Sequence, residues 1–140
     1  MKRLLLCTLV VGLLVSMVAC GGGVPAKAKT PAEVVDKVKV GMSNPEVLDI
    51  IDEEYFTQNL AFMVVNFSEL EVVGDAIRYV ATKDIESPYY GWLLFGVIVQ
   101  DLNPALVGFT SDGTVIIVDR IPFAEAQRLV EWQSGRPFRR

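Results

Sequence analysis

Histidine is absent from this chain, and cysteine is scarce. The 140 residues include no histidine and two cysteines. Because histidine is the commonest general base near neutral pH and the commonest metal ligand, its absence removes most familiar catalytic and metal-binding arrangements. The sequence also contains no Gly-x-Ser-x-Gly elbow, no Walker-type glycine loop and no Cys-x-x-Cys pair. We therefore expect a protein that is not an enzyme and that uses no cofactor and no metal.

A long apolar run stands at the start of the chain. Met1, Lys2 and Arg3 give a short positive segment, and residues 4–18 are almost wholly apolar. A positive start followed by such a run has the form of an export signal. The run is shorter than the roughly 20 helical residues that cross a bilayer, so a permanent transmembrane helix is disfavoured. We predict that residues 1–19 are a signal peptide.

The apolar run ends in Met17-Val18-Ala19-Cys20. An ordinary secretory signal ends in a small-x-small cleavage site, whereas here a small residue directly precedes a cysteine. The segment resembles a bacterial lipobox. In that class of signals the cysteine sulfur receives diacylglycerol and the leader is cut before the cysteine. The amino group that the cut frees on the cysteine is usually acylated, for example with palmitate. The resemblance implies that Cys20 is the lipidation site and that its acyl chains anchor the protein, since two or more chains hold a protein on a membrane durably. The alternative is an unmodified thiol near an ordinary cleavage site.

The composition of the chain after the leader limits the kind of domain and the kind of partner that we expect. Cys7 leaves with the leader and Cys20 is used by the anchor, so no intramolecular disulfide forms. About 120 remaining residues without disulfides need a real hydrophobic core, and they suffice for a single domain. Removal of Lys2 and Arg3 leaves eleven basic and seventeen acidic residues, a formal charge of −6. A nucleic-acid partner is therefore not expected.

Composition also divides the mature chain into three parts. Three glycines, a proline and Lys27 and Lys29 make residues 20–29 a flexible tether behind the lipidated cysteine, and the two lysines can contact anionic headgroups. Residues 30–133 form the predicted single α+β domain. Residues 134–140, which include Arg136, Arg139 and Arg140, are predicted to be a loose basic tail.

Capping patterns predict two short helices at the start of the domain. Residues 30–33 and 43–46 each read as a capping box with proline at the first helical position. We predict that the first helix ends at Gly41. The second continues through Tyr55, because Val47, Leu48, Ile51 and Tyr55 form one apolar stripe.

From residue 61 onward, β-branched and aromatic runs predict strands. We predict them at 61–67, 76–83, 92–100, 105–109 and 114–119, with the last two joined by an Asp112-Gly113 hairpin turn. A helix is predicted over 122–133. The expected fold is α+β, with two short N-terminal helices packed on an antiparallel sheet of about 3–5 strands and a C-terminal helix.

Two segments carry a resemblance to a known family. The run Lys39-Val40-Gly41-Met42-Ser43-Asn44-Pro45-Glu46-Val47 resembles the helix-turn-helix opening of the SmpA/OmlA (BamE-like) small outer-membrane lipoproteins. Leu106-Val107-Gly108-Phe109-Thr110-Ser111-Asp112-Gly113-Thr114-Val115 resembles their closing hairpin. Together with the lipobox, the resemblance implies a lipid-anchored outer-membrane protein that faces the periplasm and acts through a protein partner.

The candidate partner-binding residues lie in the greasiest segment of the mature chain. Residues 92–99 place large apolar side chains on both faces of the predicted strand. One hypothesis is that Trp92, Leu94 and Ile98 form a face that docks on an envelope protein. The alternative is a central strand covered on both sides.

A second candidate is an acidic cluster. It consists of Asp49, Asp52, Glu53 and Glu54, placed toward the end of the second predicted helix, where the helix dipole disfavours negative charge. It can meet a basic partner surface or form a solvated face.

The favoured function is a non-enzymatic, lipid-anchored envelope protein that serves as a scaffold or assembly accessory at the outer membrane. The alternative is a periplasmic ligand-binding or inhibitor module. An exposed apolar patch favours the first, and a deep pocket with converging polar groups favours the second.

Overall fold

The computed structural model describes residues 26–97 and 103–135. Three short helices come first: α1 (Pro31–Lys37), α2 (Asn44–Ile50) and α3 (Glu53–Gln58). Five strands follow: β1 (Phe62–Val73), β2 (Ala76–Thr82), β3 (Tyr89–Leu94), β4 (Ala105–Thr110) and β5 (Val115–Arg120). The longer helix α4 (Phe123–Ser134) comes last.

The five strands form one antiparallel sheet in the order β2-β1-β3-β4-β5. The sheet is curled, which brings Leu70 of β1 against Gly108 of β4. A Cβ atom at Gly108 would lie 2.6 Å from Leu70 Cδ2, so glycine is what allows this close approach. Gly91 has the same role beside Leu106 and Phe67, where a Cβ would lie 2.8 Å from each side chain. Two missing side chains thus let a five-stranded sheet bend over its own core.

Both faces of the sheet carry core residues, because strand residues alternate between the faces. One face contributes Phe67, Leu93 and Leu106, each fully buried. Helix α4 packs on this side, with its Phe123 ring 6.3 Å from the Phe95 ring. The other face contributes the buried Trp92 and Phe109, whose rings lie 4.6 Å apart.

The α+β class, the antiparallel sheet and the C-terminal helix predicted from the sequence are confirmed. The Asp-Gly turn between β4 and β5 is also confirmed, with Gly113 at φ 89°. The capping box that opens α2 is present as predicted. Ser43 N donates to Glu46 Oε1 at 2.7 Å and Glu46 N donates to Ser43 Oγ at 3.3 Å.

The predicted end of the first helix at Gly41 is wrong. Helix α1 ends at Lys37, and Val38 has extended backbone angles, φ −85° and ψ 133°. Gly41 instead occupies a turn with φ 98°, where its N–H donates to the carbonyl of Val115 at 2.8 Å. Gly41 therefore marks a turn that is hydrogen-bonded to β5, and not the end of α1.

The single second helix predicted through Tyr55 is also wrong. Ile51 adopts extended angles, φ −92° and ψ 153°, and a new helix begins after Asp52. The cause is the preceding chain, because Ala28 forms a parallel bridge with Ile51 and interrupts the helical hydrogen bonding. The apolar stripe continued across this break and therefore hid it.

Two strand boundaries differ from the prediction. Strand β1 extends six residues beyond Phe67 to Val73, and Gly74 at φ 62° turns the chain into β2. Strand β3 begins at Tyr89 and ends at Leu94. Residues 98–100 of the predicted strand lie outside the part of the chain that the structure describes.

Candidate functional site

The segment that joins the predicted tether to the domain is fixed by backbone hydrogen bonds. Ala28 N donates to Ile50 O at 2.8 Å, and Asp52 N donates to Ala28 O at 2.9 Å. Ala28 is fully buried. Cys20 lies outside the described residues, but the domain side of the tether is placed, because the described chain includes residues 26–29, which composition alone assigned to the tether.

Lys29 reinforces this junction in several ways. Its ammonium lies 3.8 Å from Asp52 Oδ2 and 5.6 Å from the centre of the Tyr55 ring. Its backbone N–H donates to Glu33 Oε1 at 2.9 Å. That hydrogen bond is the main reason that the pKa of Glu33 is lowered from its usual value. Lys29, which we predicted to contact lipid headgroups, therefore also has a structural role within the domain.

The acidic cluster gains a structural explanation from the helix break. Asp52 is the N-cap of α3, with its Oδ1 accepting from Tyr55 N at 3.1 Å. Glu53 and Glu54 lie in the first turn of the same helix. Negative charge is stabilising at a helix N-terminus, so these three residues support the start of α3. The expectation that they sit at an unfavourable helix end is wrong, because it assumed one continuous helix.

A groove opens beside the junction. Its volume is about 360 Å³, and its lining is mainly apolar. Three lysines and two aspartates surround it, namely Lys27, Lys37, Lys39, Asp36 and Asp49, together with Ala26 and Ile50. Lys37 Nζ donates to Ala26 O at 3.1 Å, which ties the incoming chain to α1 beside the groove.

Trp92 and Leu94, two residues of the predicted docking face, lie in the core. Trp92 is 7% exposed and Leu94 is 0% exposed. The Trp92 ring is covered by Phe62 at 5.2 Å and by Phe109 at 4.6 Å, measured between ring centroids. Leu93 and Phe95 on the opposite face are buried as well. In the folded chain, β3 is a central strand covered on both sides. Ile98, the third predicted residue, lies outside the described part of the chain.

An exposed apolar surface is found instead on the β1–β2 hairpin. Val64, Val73 and Val80 are 48%, 51% and 48% exposed. Paired residues of neighbouring strands share a face of the sheet. Val64 pairs with Trp92, Val80 with Glu69, and Val73 with Ala76, and the register shift between Phe67 and Glu69 brings the three valines to the same face. We call these three residues the valine face. The ion pair between Arg78 and Glu71 lies on the same side of the hairpin.

The sequence contained a signal for this longer hairpin. Alternation of Leu70 and Val72 with Glu69 and Glu71, followed by Gly74-Asp75, is the pattern of a half-buried strand and a tight turn. The prediction ended the strand at Phe67 and so missed both the hairpin and its exposed valines.

Strand β2 is also an edge of the sheet, and in the described chain no strand pairs with its outer side. The Tyr79 side chain of β2 interacts with Glu125 of α4. Burial, followed by this interaction, raises the pKa of Tyr79 far above its usual value. The hairpin therefore contacts α4 through Tyr79, while among the described residues its outer edge and the valine face remain accessible.

Within the described residues, no group of three or more His, Cys, Asp or Glu side chains has the arrangement of a metal site. None of the helices in that part of the chain combines the length and apolar character that a membrane span requires. No protein-family model, curated protein or solved structure matches this chain.

Proposed function

We propose that this chain is a non-enzymatic, lipid-anchored protein of the bacterial envelope that acts as a scaffold or assembly accessory at the periplasmic side of the outer membrane. The proposal joins the anchor expected at Cys20 to a domain that presents an accessible apolar face. It includes membership of an SmpA/OmlA-like group, and an architecture in which the N-terminal helices form a layer on the sheet.

The valine face is the observation that carries this proposal. Three valines that are about half exposed lie on one face of the sheet at this hairpin, and Glu69, Glu71 and Arg78 of the same face lie between them. Contact surfaces of proteins combine exposed apolar positions with charged side chains in this way. The open edge of β2 adds backbone donors and acceptors that a partner strand can pair with. The proposed partner is an envelope protein.

The anchor is tested by replacing Cys20. Cys20→Ser should leave an uncleaved precursor without lipid, because the lipobox reaction modifies the cysteine before the leader is cut. Mass spectrometry of the purified protein measures both changes. Cys7→Ser, within the predicted leader, is the matched control and should be processed and lipidated as the wild type is.

A Cys20→Ser chain that is still cut after Ala19 with the same attached lipid would contradict the anchor. Membrane fractionation tests the second half of the assignment. Gly21 follows the cysteine in place of the aspartate typical of inner-membrane retention, so we expect the protein in the outer-membrane fraction.

The partner surface is tested by changing Val64, Val73 and Val80 to Thr together. Threonine keeps the β-branched shape and strand propensity but adds a hydroxyl to the contact surface. Cross-linking and affinity purification from native envelopes should lose the partner, while thermal unfolding changes little because exposed substitutions each cost about 0.5 kcal/mol or less.

Ile85→Thr is the matched control, since Ile85 is 86% exposed and lies in the loop after β2. It should retain the partner. Recovery of the same partner at wild-type level by the triple variant would reject the valine face as the contact.

The alternative ligand-binding module is favoured by a second observation. A cleft of about 250 Å³ between the β1–β2 turn and the start of α4 is lined by three carboxylates, those of Asp75, Asp119 and Glu125, and by the one guanidinium of Arg120, with Ile77 and Ile121 beside them. Its carboxylates suit a small cationic ligand. Copurification of such a ligand, and of no envelope protein, would favour this candidate over the scaffold.

A further inference from the structure

The groove beside the tether junction holds charges of both signs that do not pair with one another. Lys37 and Lys39 donate to the backbone carbonyls of Ala26 at 3.1 Å and Asp36 at 2.6 Å. A carbonyl acceptor fixes an ammonium without neutralising its charge. Among the described residues, the ion pairs within 4 Å are Lys29 with Asp52 and Arg78 with Glu71, and none of these four residues lines the groove.

The groove is also confined to the neighbourhood of the anchor. Ala26, at its rim, follows Cys20 by six residues. A fully extended chain spans at most about 3.5 Å per residue, so this rim lies within roughly 20 Å of the lipid-bearing residue. The local concentration of lipid headgroups at the groove is therefore high whenever the protein is anchored.

We propose that this groove binds the headgroup of a phospholipid that carries both a phosphate and a primary ammonium group. This inference rests on the lipid anchor proposed above. The phosphate lies among the ammonium groups of Lys27, Lys37 and Lys39, which carry the charge-assisted donors that a phosphate oxygen accepts. The headgroup ammonium donates to the carboxylates of Asp36 or Asp49. Ile50 and the lysine stems contact the glycerol and the first methylenes of the acyl chains.

The hydrogen bond between the headgroup ammonium and an aspartate carboxylate sets the specificity for the lipid. A primary ammonium has hydrogens to donate to a carboxylate, whereas the quaternary ammonium of a choline headgroup has none. A glycerol headgroup carries no positive charge for the aspartates. One charge-assisted hydrogen bond contributes about 1.5 kcal/mol, so the ethanolamine lipid should be preferred by about tenfold over the other two.

Native mass spectrometry of the purified full-length protein tests this in detergent with equimolar phosphatidylethanolamine, phosphatidylcholine and phosphatidylglycerol. We expect a one-to-one adduct with the ethanolamine lipid at about tenfold the abundance of the others. Asp49→Asn should bring that preference close to unity, because Asp49 is exposed and its loss removes a carboxylate without disturbing the fold. Lys37→Gln with Lys39→Gln should reduce all adducts. Arg78→Gln, on the distant hairpin, is the control and should change none.

Equal adducts of the three lipids, a dominant phosphatidylglycerol adduct, or an unchanged preference in Asp49→Asn would each overturn the inference. Inorganic phosphate offered without lipid should give no adduct, and a lysine-dependent phosphate adduct would refute the lipid assignment. The same spectra report the mass of the chain itself. An unmodified Cys20 would reject the anchor, whereas a lipidated Cys20 without the ethanolamine preference would reject the groove alone.

Discussion

The β4–β5 and β1–β2 hairpins both turn at a glycine with positive φ, yet they differ in what surrounds them. At the β4–β5 turn, Asn44 N donates to Gly113 O and Val115 N donates to Met42 O, each at 2.8 Å. Residues 104–109 of this hairpin are all buried. Residues 71–76 at the end of the β1–β2 hairpin are all exposed. One hairpin belongs to the structural centre of the domain, and the other presents surface to its surroundings.

This difference separates stability from recognition within one sheet. The segment between α1 and α2 covers the β4–β5 turn and forms hydrogen bonds with Gly113 and with Val115 at the start of β5. The edge of β2 keeps its outward donors and acceptors. A sheet edge left open is a site where another chain can pair, which is why proteins usually cover or charge such edges. In the middle of the β2 edge the charged residue is Arg78, which pairs with Glu71.

The largest expected effect contrasts a buried ring with an exposed valine. Phe109 is fully buried between Tyr90 and Trp92, with ring centroids 4.8 and 4.6 Å away. Phe109→Ala should lower the free energy of unfolding by about 3–5 kcal/mol. Val73→Ala, on the other hairpin, should change it by about 0.5 kcal/mol or less. Urea unfolding measures both values, and similar losses at the two sites would erase the contrast.

The next effect concerns the contact that joins the two hairpins. Gly108→Ala should destabilise the protein by about 1–3 kcal/mol, because its new methyl group overlaps Leu70 Cδ2. Leu70→Ala removes the overlapping atoms but leaves a cavity. A double-mutant cycle should therefore show that the Gly108→Ala change costs less when residue 70 is already alanine. Strictly additive losses would show that Leu70 and Gly108 are not coupled through this contact.

The smallest expected effect is a pH-dependent one at the support of the β4–β5 turn. The backbone hydrogen bond from Ser43 is the main reason that the pKa of Glu46 is lowered from its usual value. Because the folded-state pKa is lowered, the carboxylate stabilises the fold at pH values above its unfolded-state pKa of about 4.3. This stabilisation is lost as the pH falls through the folded-state pKa. Glu46→Gln should therefore melt at a lower temperature than wild type at neutral pH.

As the pH falls below the folded-state pKa, so that the carboxylate is protonated in both states, that difference should shrink. Thermal unfolding followed by circular dichroism across this range gives the comparison. Glu86→Gln, in the exposed loop after β2, controls for the loss of one negative charge. A Glu46→Gln difference that persists unchanged in acid would show that the carboxylate charge is not what supports the cap.

Local signals predicted much of this fold because they act within a few residues. The capping box at Ser43 and Glu46 and the turn at Gly113 depend on side chains three or fewer positions apart, and both were predictable. The split between α2 and α3 was not. It depends on Ala28, more than twenty residues upstream, which pairs with Ile51 and replaces a helical hydrogen bond.

The candidate site was harder to predict for a related reason. Periodicity assigned Trp92 and Leu94 correctly to one face of a strand, but it cannot say whether another layer covers that face. The burial of Trp92 depends on Phe62 and Phe109, which come from two neighbouring strands. The groove likewise gathers residues from the incoming chain, α1 and α2, so no continuous motif announces it.

The bridge between Ala28 and Ile51 has a mechanical consequence if the proposed anchor at Cys20 holds the protein by its N-terminus. Any tension along the tether reaches the domain first at two hydrogen bonds, from Ala28 N to Ile50 O and from Asp52 N to Ala28 O. The Lys37 contact with Ala26 O shares that load. We therefore expect pulling to peel residues 26–29 from the junction of α2 and α3 before force reaches the sheet. Such a junction would yield first under load and leave the β-sheet, with its valine face, intact.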